Sequence, residues 1–572
     1  MKVDSDFRQL NIKQIEPQKD SKKGFTTKQQ FNYQTNPSFT GGADLFLRFL
    51  DTNQAWGANA VDLFCMVLPR TLTDFGRGPD AGIETLRREG MGTANHSMVG
   101  VYGTLAGLAL ATGINGIYKF GKDDVKASSI FADAETMDMQ GSSWNNVLKQ
   151  NKENPLHEHL TNVLKNYEAL SPTENGKWVK FKDNDIEEVV NILEKEIQSN
   201  TPKINKDALS NARTRLISSI GVENNLRIIA EEGQKAHTSR YTVDSILENT
   251  YKLGKVFTKD KVKEAFMNSS DIAENAFLKA MKSMNVKRSL LGIGMASLVG
   301  ISAQPLNMYL TKKKTGKSGF VGGGAEDKST GFKIKKSLVA LLFGGGVLAT
   351  IGKPKELIKN LQFKGFTPTI KQFKFIYGIT IMSRFLSSRN DNELRESTIK
   401  DTLGFASWLI LGNFVQKLVA QSMDKSLIKK DGEGAMNWIK NSVLKSRDEV
   451  LHAALGDKVF KDGKALSFKE MINALPANSP ARKQLKILSI AQLAGYAYSA
   501  LALGFGIPRL NIFITNKVEA NKAAKATTQN NTNSENKQLS DKSENKDSML
   551  SPENRAFLNQ KNFTGNKILN LQ

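Results

Sequence analysis

The chain carries a charged residue at roughly every fourth position, yet three stretches, 97–118, 289–311 and 487–508, run for more than twenty residues with none. As helices rising about 1.5 Å per residue, each can cross about 30 Å of hydrocarbon. The pattern therefore predicts transmembrane helices. Small residues recur four apart within them, at Gly103/Gly107, Ala109/Gly113, Ala296/Gly300 and Ala500/Gly504, a spacing that lets helix backbones approach closely. Pro305 is expected to break the second span. Weaker apolar segments lie at 43–68, 373–382 and 402–416. Residues 337–352 are uncharged but short, and carry Gly344-Gly345-Gly346.

Between the first two spans the pattern changes. Ile186, Val189, Val190, Leu193 and Ile197 form one apolar stripe at helical spacing. Asn184 and Glu187 have the spacing of a capping box, and Gly233 follows two glutamates as a helix stop. Shorter amphipathic segments fall near 208–220, 242–253, 259–268 and 271–284. Only 177–181 reads as a strand. The expected fold class is all-α: a multi-span helical membrane protein with an inserted helical soluble domain and disordered termini. The segments are a disordered N-terminus (1–41), an apolar helix with a charged connector and the first span (42–118), the soluble domain (119–287), and membrane helices with basic loops (288–416). A polar helical region (417–486), the last span (487–510) and a low-complexity tail (511–572) complete it.

Charge refines this picture. Net charge is +23 and mean hydropathy −0.37, as expected for a few spans diluted by polar regions. Lysine supplies most of the positive charge. That fits anionic head groups beside apolar helices better than nucleic acid, which is read by arginine forks. Both loops flanking 337–352, residues 312–336 and 353–374, are lysine-rich, and the positive-inside tendency asks both to be cytoplasmic. A segment that enters and returns, or lies in the interface, satisfies both. Four to six true crossings are expected. Residues 1–36 lack the apolar core of a cleavable signal peptide.

Two constellations are candidates for function. The first is a polar stripe on 43–68, formed by Asp44, Arg48, Asp51, Asn59 and Asp62, which lines either a membrane path or a wet helix face. The second is an internal echo. One copy runs Arg70, Arg77, Asp80 and Glu84-Thr-Leu86-Arg87-Arg88-Glu89 before the first span. The other runs Arg384, Arg389, Asp391 and Glu393-Leu394-Arg395-Glu396 before the segment from Thr402. Repeated halves are frequent in transporters, where sites form at the repeat interface; charged connectors paired at head-group level are the plainer reading.

Familiar catalytic patterns fail. Thr315-Gly-Lys-Ser318 lacks the upstream glycine and strand of a phosphate loop. Asp74-Phe75-Gly76 has no kinase catalytic loop beside it. His157 and His159 point to nearly opposite sides of a helix, which disfavours a metal site. Cys65 sits in an apolar run and reads as a buried thiol. Phe-x-Gly recurs at Phe39, Phe363 and Phe563 without an evident mechanism. No cofactor is implied.

The leader Asn36-Pro-Ser-Phe-Thr-Gly41, the lysine- and asparagine-heavy composition and the charged connector before a small-residue span together resemble uncharacterised membrane proteins of gut-associated, non-photosynthetic relatives of cyanobacteria. The resemblance covers mainly 37–118 and implies a bacterial cytoplasmic membrane and no particular activity. The expected function is a non-enzymatic, membrane-anchored scaffold whose soluble residues 119–287 meet protein partners. The alternative is a transporter or channel built from the two echoing halves. A membrane-bound lipid enzyme using carboxylates is a third reading.

Overall fold

The structure is a computed structural model. It describes residues 42–524 apart from 53, 77, 172–176, 200, 230–238, 317–325, 430–433, 436, 437, 439–441, 512, 519, 522 and 523. The expectations for 1–41, Arg77, Gly233 and 525–572 lie outside the described residues, as do the side chains of Asp44 and Asp51.

The chain enters through α1 (Gly42–Thr52) and α2 (Gln54–Val61), which passes through a π-helical stretch, Asp62–Val67, into α3 (Leu68–Phe75). A tight turn leads to α4 (Pro79–Ser97), and α5 (Val99–Ile117) comes after Met98. The inserted domain comprises α6 (Ala134–Lys149), α7 (Pro155–Lys165), β1 (Tyr167–Leu170), β2 (Trp178–Lys180), α8 (Asp183–Gln198), α9 (Lys206–Ile220), β3 (Asn224–Ile228), β4 (Tyr241–Thr242), α10 (Val243–Phe257) and α11 (Asp260–Met267). Then come α12 (Ala276–Thr315), α13 (Thr330–Ile351), the short α14 (Leu357–Asn360), α15 (Ile370–Leu386) and α16 (Asp391–Ala406). A second π stretch, Ser407–Leu411, joins α16 to α17 (Gly412–Met423). Beyond α18 (Arg447–Leu455) and α19 (Phe468–Ala474), α20 (Pro480–Ser499) runs into a third π stretch, Ala500–Gly506.

The molecule is predominantly helical. Among the described residues, five stretches are long and apolar enough to cross a membrane: Val99–Ile117, Ala276–Lys314, Thr330–Ile351, Asp391–Met423 and Pro480–Val518. The helix therefore continues past 510 into the segment expected to begin the disordered tail, and Thr515 donates to the Glu396 carboxylate (3.0 Å). The small-residue spacing marks real crossings. A Cβ on Gly292 would lie 3.0 Å from the Gly103 Cα, and one on Gly504 would lie 2.9 Å from the Pro69 Cβ. Cys65 is buried.

Several expectations are corrected. Pro305 does not break α12; the helix runs through it. Proline removes the donor for the carbonyl four residues back, and the Ser383 hydroxyl supplies a replacement, donating to the Ile301 carbonyl (2.8 Å). Residues 337–352 do not fold back on themselves. All but the capping Gly352 belong to the end of a single helix, α13, whose 22 residues span about 33 Å. Loops 312–336 and 353–369 consequently lie at opposite ends of it. Lys314 and Lys335 pair with Asp80 (2.7 Å) and Asp391 (2.9 Å) at one end, whereas Lys359 pairs with Glu135 of the inserted domain at the other. The segment that tucks into the bundle is the loop after α13. Phe363, of the recurrent Phe-x-Gly, is fully buried beneath Gly103, and its N–H donates to the Ser289 hydroxyl (3.0 Å). Irregular backbone at that depth is tolerated when buried in protein with its polar groups satisfied.

The inserted domain is not purely helical. Its four-stranded antiparallel sheet has the order β2-β1-β3-β4, of which only β2 was expected. The apolar stripe of α8 is buried as expected, but the capping box is absent: the helix begins at Asp183 after Lys182. Nor is the domain separate from the spans. Ala111, Ile114 and Tyr118 of the first span, with Phe277 and Met281 of α12, lie in its core. The two polar regions also join one another. Arg48 makes a two-pronged bond to Asp448 (2.7 and 2.6 Å), Arg213 reaches both Asp448 (2.9 Å) and Glu223, and Lys429 holds Glu449 (2.8 Å). Burial would raise the Asp448 carboxyl, but its two arginines hold it down at about 2. Burial, and then the charge of Asp448, push Glu223 up to about 8.

Labelling single cysteines at 328 and 359 in a Cys65→Ala background should mark opposite faces of sealed vesicles; labelling from one face would overturn the position of α13. A second outcome concerns acid. His159 is fully buried against Trp144 and Phe257, and burial pushes it down to about 3. Burial likewise takes His452 down to about 4. A histidine with a depressed folded-state value stabilises fully above its ordinary 6.5 and loses that contribution as pH falls toward the folded value. The thermal midpoint should fall from about pH 6.5 to 4, and less steeply in His159→Phe; an unchanged slope in that variant would refute the assignment.

Candidate functional site

α3 and α4 form one helical hairpin and α15 and α16 another, and the two face each other inside the bundle. Helix α12 packs antiparallel along α4, with Asn95 donating to the Ala296 carbonyl (2.8 Å) and Arg87 to Asn307 (2.7 Å) and Thr311 (2.9 Å). At the junction Glu89 is 2% exposed. Four cations lie within 4 Å of it: Arg70 (3.7 Å), Arg88 (3.2 Å), Arg384 (3.0 Å) and Lys400 (3.3 Å). Arg384 also holds Asp401 (3.1 Å). One turn of α4 further on, the Thr93 hydroxyl donates to Asp62 (2.6 Å), and the buried His96 ring nitrogen lies 4.0 Å from that carboxylate. His96 packs against Phe373, Tyr377 and Trp408 at ring-centroid distances of 5.0, 5.3 and 6.2 Å.

The structure thus brings one member of each echoing connector, Arg70 and Arg384, onto a single carboxylate. It places most of the others elsewhere. Asp80, Asp391, Arg389 and Glu393 pair at the end carrying loop 312–336, with Arg389 bonded to Glu393 (3.2 Å). Arg87 binds α12, while Glu84 and Arg395 are half-buried on their helices. The polar stripe also divides. Arg48 reaches Asp448, outside the bundle core, whereas Asn59 donates to Ser97 (3.2 Å) and Asp62 enters the centre.

Neither charged connector is an exposed link between helices. Both are helical, and a different register relates them. Glu89 and Asp401 are each the eleventh residue of their helices, α4 and α16. Arg88-Glu89-x-x-Gly92-x-Ala94 then matches Lys400-Asp401-x-x-Gly404-x-Ala406, and His96 matches Trp408. Glu89 stands in the echoing pattern only as its last residue, and His96, Lys400 and Asp401 are outside the candidate residues. The basic-acidic-x-x-Gly-x-Ala pattern was the signal available for them.

The three π stretches meet beside this centre. Arg70 donates to the Leu503 carbonyl (3.4 Å), and the Cys65 thiol lies 3.5 Å from the Tyr496 carbonyl. Widened π turns recur at functional sites. On the far side of Trp408 is a cavity of about 260 Å3, lined in part by Val61, Leu409, Gln416, Ser499 and Asn225. Among the described residues no group of three or more His, Cys, Asp or Glu side chains is placed to hold a metal ion. The chain matches no family model, and no curated protein or solved structure is significantly similar to it.

Replacing Glu89 with Gln takes the shared counter-charge from four cations, of which Arg70 and Arg384 are buried, and should cost about 3–5 kcal/mol, read as a drop in thermal midpoint. Lys400→Met removes one cation while Arg70 and Arg384 remain, and should cost less. Equal losses would show that Glu89 is not the hub.

Proposed function

We propose that the chain is an integral protein of the bacterial cytoplasmic membrane and that its two facing hairpins form the centre of a transporter or channel for a small solute. The observation that carries this reading is Glu89 held jointly by Arg70 and Arg384, deep among helices with apolar outer faces. Leu72, Leu298, Leu341, Leu342 and Leu501 are each at least 65% exposed. Exposed apolar surface on that scale suits lipid rather than water.

Six ionisable side chains, Asp62, Arg70, Glu89, His96, Arg384 and Asp401, are nevertheless buried. Charges inside a membrane bundle are expensive and accompany solute paths and relays. An anchor for a scaffold has no need of them, so the geometry favours the transporter over the scaffold expected first. Asp62 and His96 have few bonds of their own and lie one step behind the cavity wall, Asp62 next in sequence to Val61 and His96 against Trp408, which suits groups that respond to an occupant.

Two measurements test the reading. The polypeptide should stay in the membrane pellet after alkaline carbonate; release into the supernatant would refute insertion. Purified and reconstituted, it should speed the uptake of at least one solute among potassium chloride, glycine, urea and sorbitol, followed by light scattering. Asp62→Asn should change that rate at equal incorporation. Uptake equal to protein-free vesicles for every solute would refute transport.

A further inference from the structure

The cavity beside the charge cluster has a composition of its own. Five carboxamides line it. Gln492 is spent, accepting from Arg447 (2.8 Å) and donating to the Leu47 carbonyl (3.1 Å). The other four, Asn224, Asn225, Asn413 and Gln416, make no side-chain hydrogen bond with another described residue. They come from two separate places, the start of β3 and the first turns of α17. Asn225 is aimed there by its backbone. It has φ of 65°, in the left-handed region, at the irregularity where β3 shifts register against β4. A bulge of this kind re-aims a side chain, and a non-glycine residue in that conformation is uncommon outside such positions. The left-handed turn, which asparagine adopts more readily than most residues, leaves the Asn225 amide at the cavity wall without a protein partner among the described residues.

The other walls fix the chemistry. Leu50, Val61 and Trp408 give an apolar side. Among the described residues no Asp or Glu lines the cavity, so a cation or zwitterion would find no counter-charge. The charged residue that does line it, Lys417, is spent: its ammonium donates to the Ser442 carbonyl (3.1 Å) and sits 5.6 Å from the centre of the Trp438 ring. Carboxamides offer a donor and an acceptor on one rigid fork, which matches neighbouring hydroxyl groups. At about 260 Å3 the space falls below the ~300–1,000 Å3 of pockets that take drug-sized ligands.

We infer that this cavity is a binding site for a small neutral polyhydroxylated solute, such as a monosaccharide or hexitol. Its hydroxyl groups meet Asn224, Asn225, Asn413 and Gln416, and its carbon face lies toward Trp408. The inference names the solute class for the transporter reading and rests on that reading for its purpose, but the site itself is tested without a membrane gradient.

Full-length protein in detergent is titrated with millimolar D-glucose, sorbitol, gluconate and glucosamine. Thermal midpoint and tryptophan fluorescence are followed. Glucose or sorbitol should give a saturable response, and gluconate and glucosamine a weaker one. Asn413→Leu should weaken the response by about tenfold, equivalent to about 1.4 kcal/mol, with the ligand-free midpoint little changed. Gln416→Ala should do the same if the leucine variant does not fold. No response to either neutral solute, tighter binding of gluconate or glucosamine, or unaltered binding in a folded variant would each overturn the assignment. Saturable binding without vesicle uptake would refute transport and leave the site standing. Uptake of sorbitol that Asn413→Leu does not alter would refute this site and leave transport standing.

Discussion

A buried carboxylate shared by two hairpins is the constraint on which the rest of the bundle depends. Ionised groups taken out of water lose hydration worth several kcal/mol each, and their attraction offsets this only when the geometry is good. Glu89 meets that condition because the hairpins face each other. Arg70 arrives from one and Arg384 from the other, both within 4 Å. Pulling the hairpins apart would take Arg384 and Lys400 away from Glu89, leaving Glu89 with Arg70 and Arg88, and Arg384 with Asp401. Asp401 gives Arg384 a second acidic partner at 3.1 Å. Relative movement of the hairpins can therefore trade partners within the cluster more cheaply than it can separate them.

The same region explains why the helices depart from α geometry. Pro69 and Pro508 each lie two residues beyond a π stretch. A proline ring crowds the carbonyl four residues back and offers no N–H, and a wider preceding turn accommodates both defects. Widening also rotates the next turn of helix. It sets Pro69 against Gly504, where no larger residue fits, and it brings Arg70 over the Leu503 carbonyl. The stretch at Ser407–Leu411 has no proline, but there Trp408 spans the gap to α2, donating to the Ala58 carbonyl (2.9 Å).

These relations decide how much could be read in the sequence. The apolar stretches were legible because a run without charge has few alternatives in water. The stripe of α8 was legible because its period is local. The connectors were not, since charges neutralised by one another inside a bundle look the same in sequence as charges facing solvent. Aligning them on Leu-Arg rather than on Arg88-Glu89 and Lys400-Asp401 hid the matching acids. Residues 337–352 look too short for a span because Lys333, Lys335 and Lys336 precede them, yet all three belong to α13; long lysine stems can lie along apolar surface with their ammonium groups in water. β1 and β3 are four and five residues long and lack alternation strong enough to announce them. Asn225 became a candidate only through a bulge that depends on the pairing of β3 with β4.

The inserted domain and the bundle cannot behave as independent parts. α5 and α12 belong to both, and Arg288 sits where they leave one for the other. It is fully buried, donates to the Ile130 carbonyl (2.8 Å) and packs over the Phe131 ring. The cavity is built across the same boundary, with Asn224 and Asn225 from the domain and Asn413 and Gln416 from α17. A solute bridging these amides would tie β3 to α17. Helix α17 is joined through one π stretch to α16, which carries Lys400 and Asp401. Trp408, on that stretch, touches the cavity on one side and the rings around His96 on the other. The short path from amide to charge cluster therefore runs through a turn already widened, the kind of irregularity that recurs at functional sites.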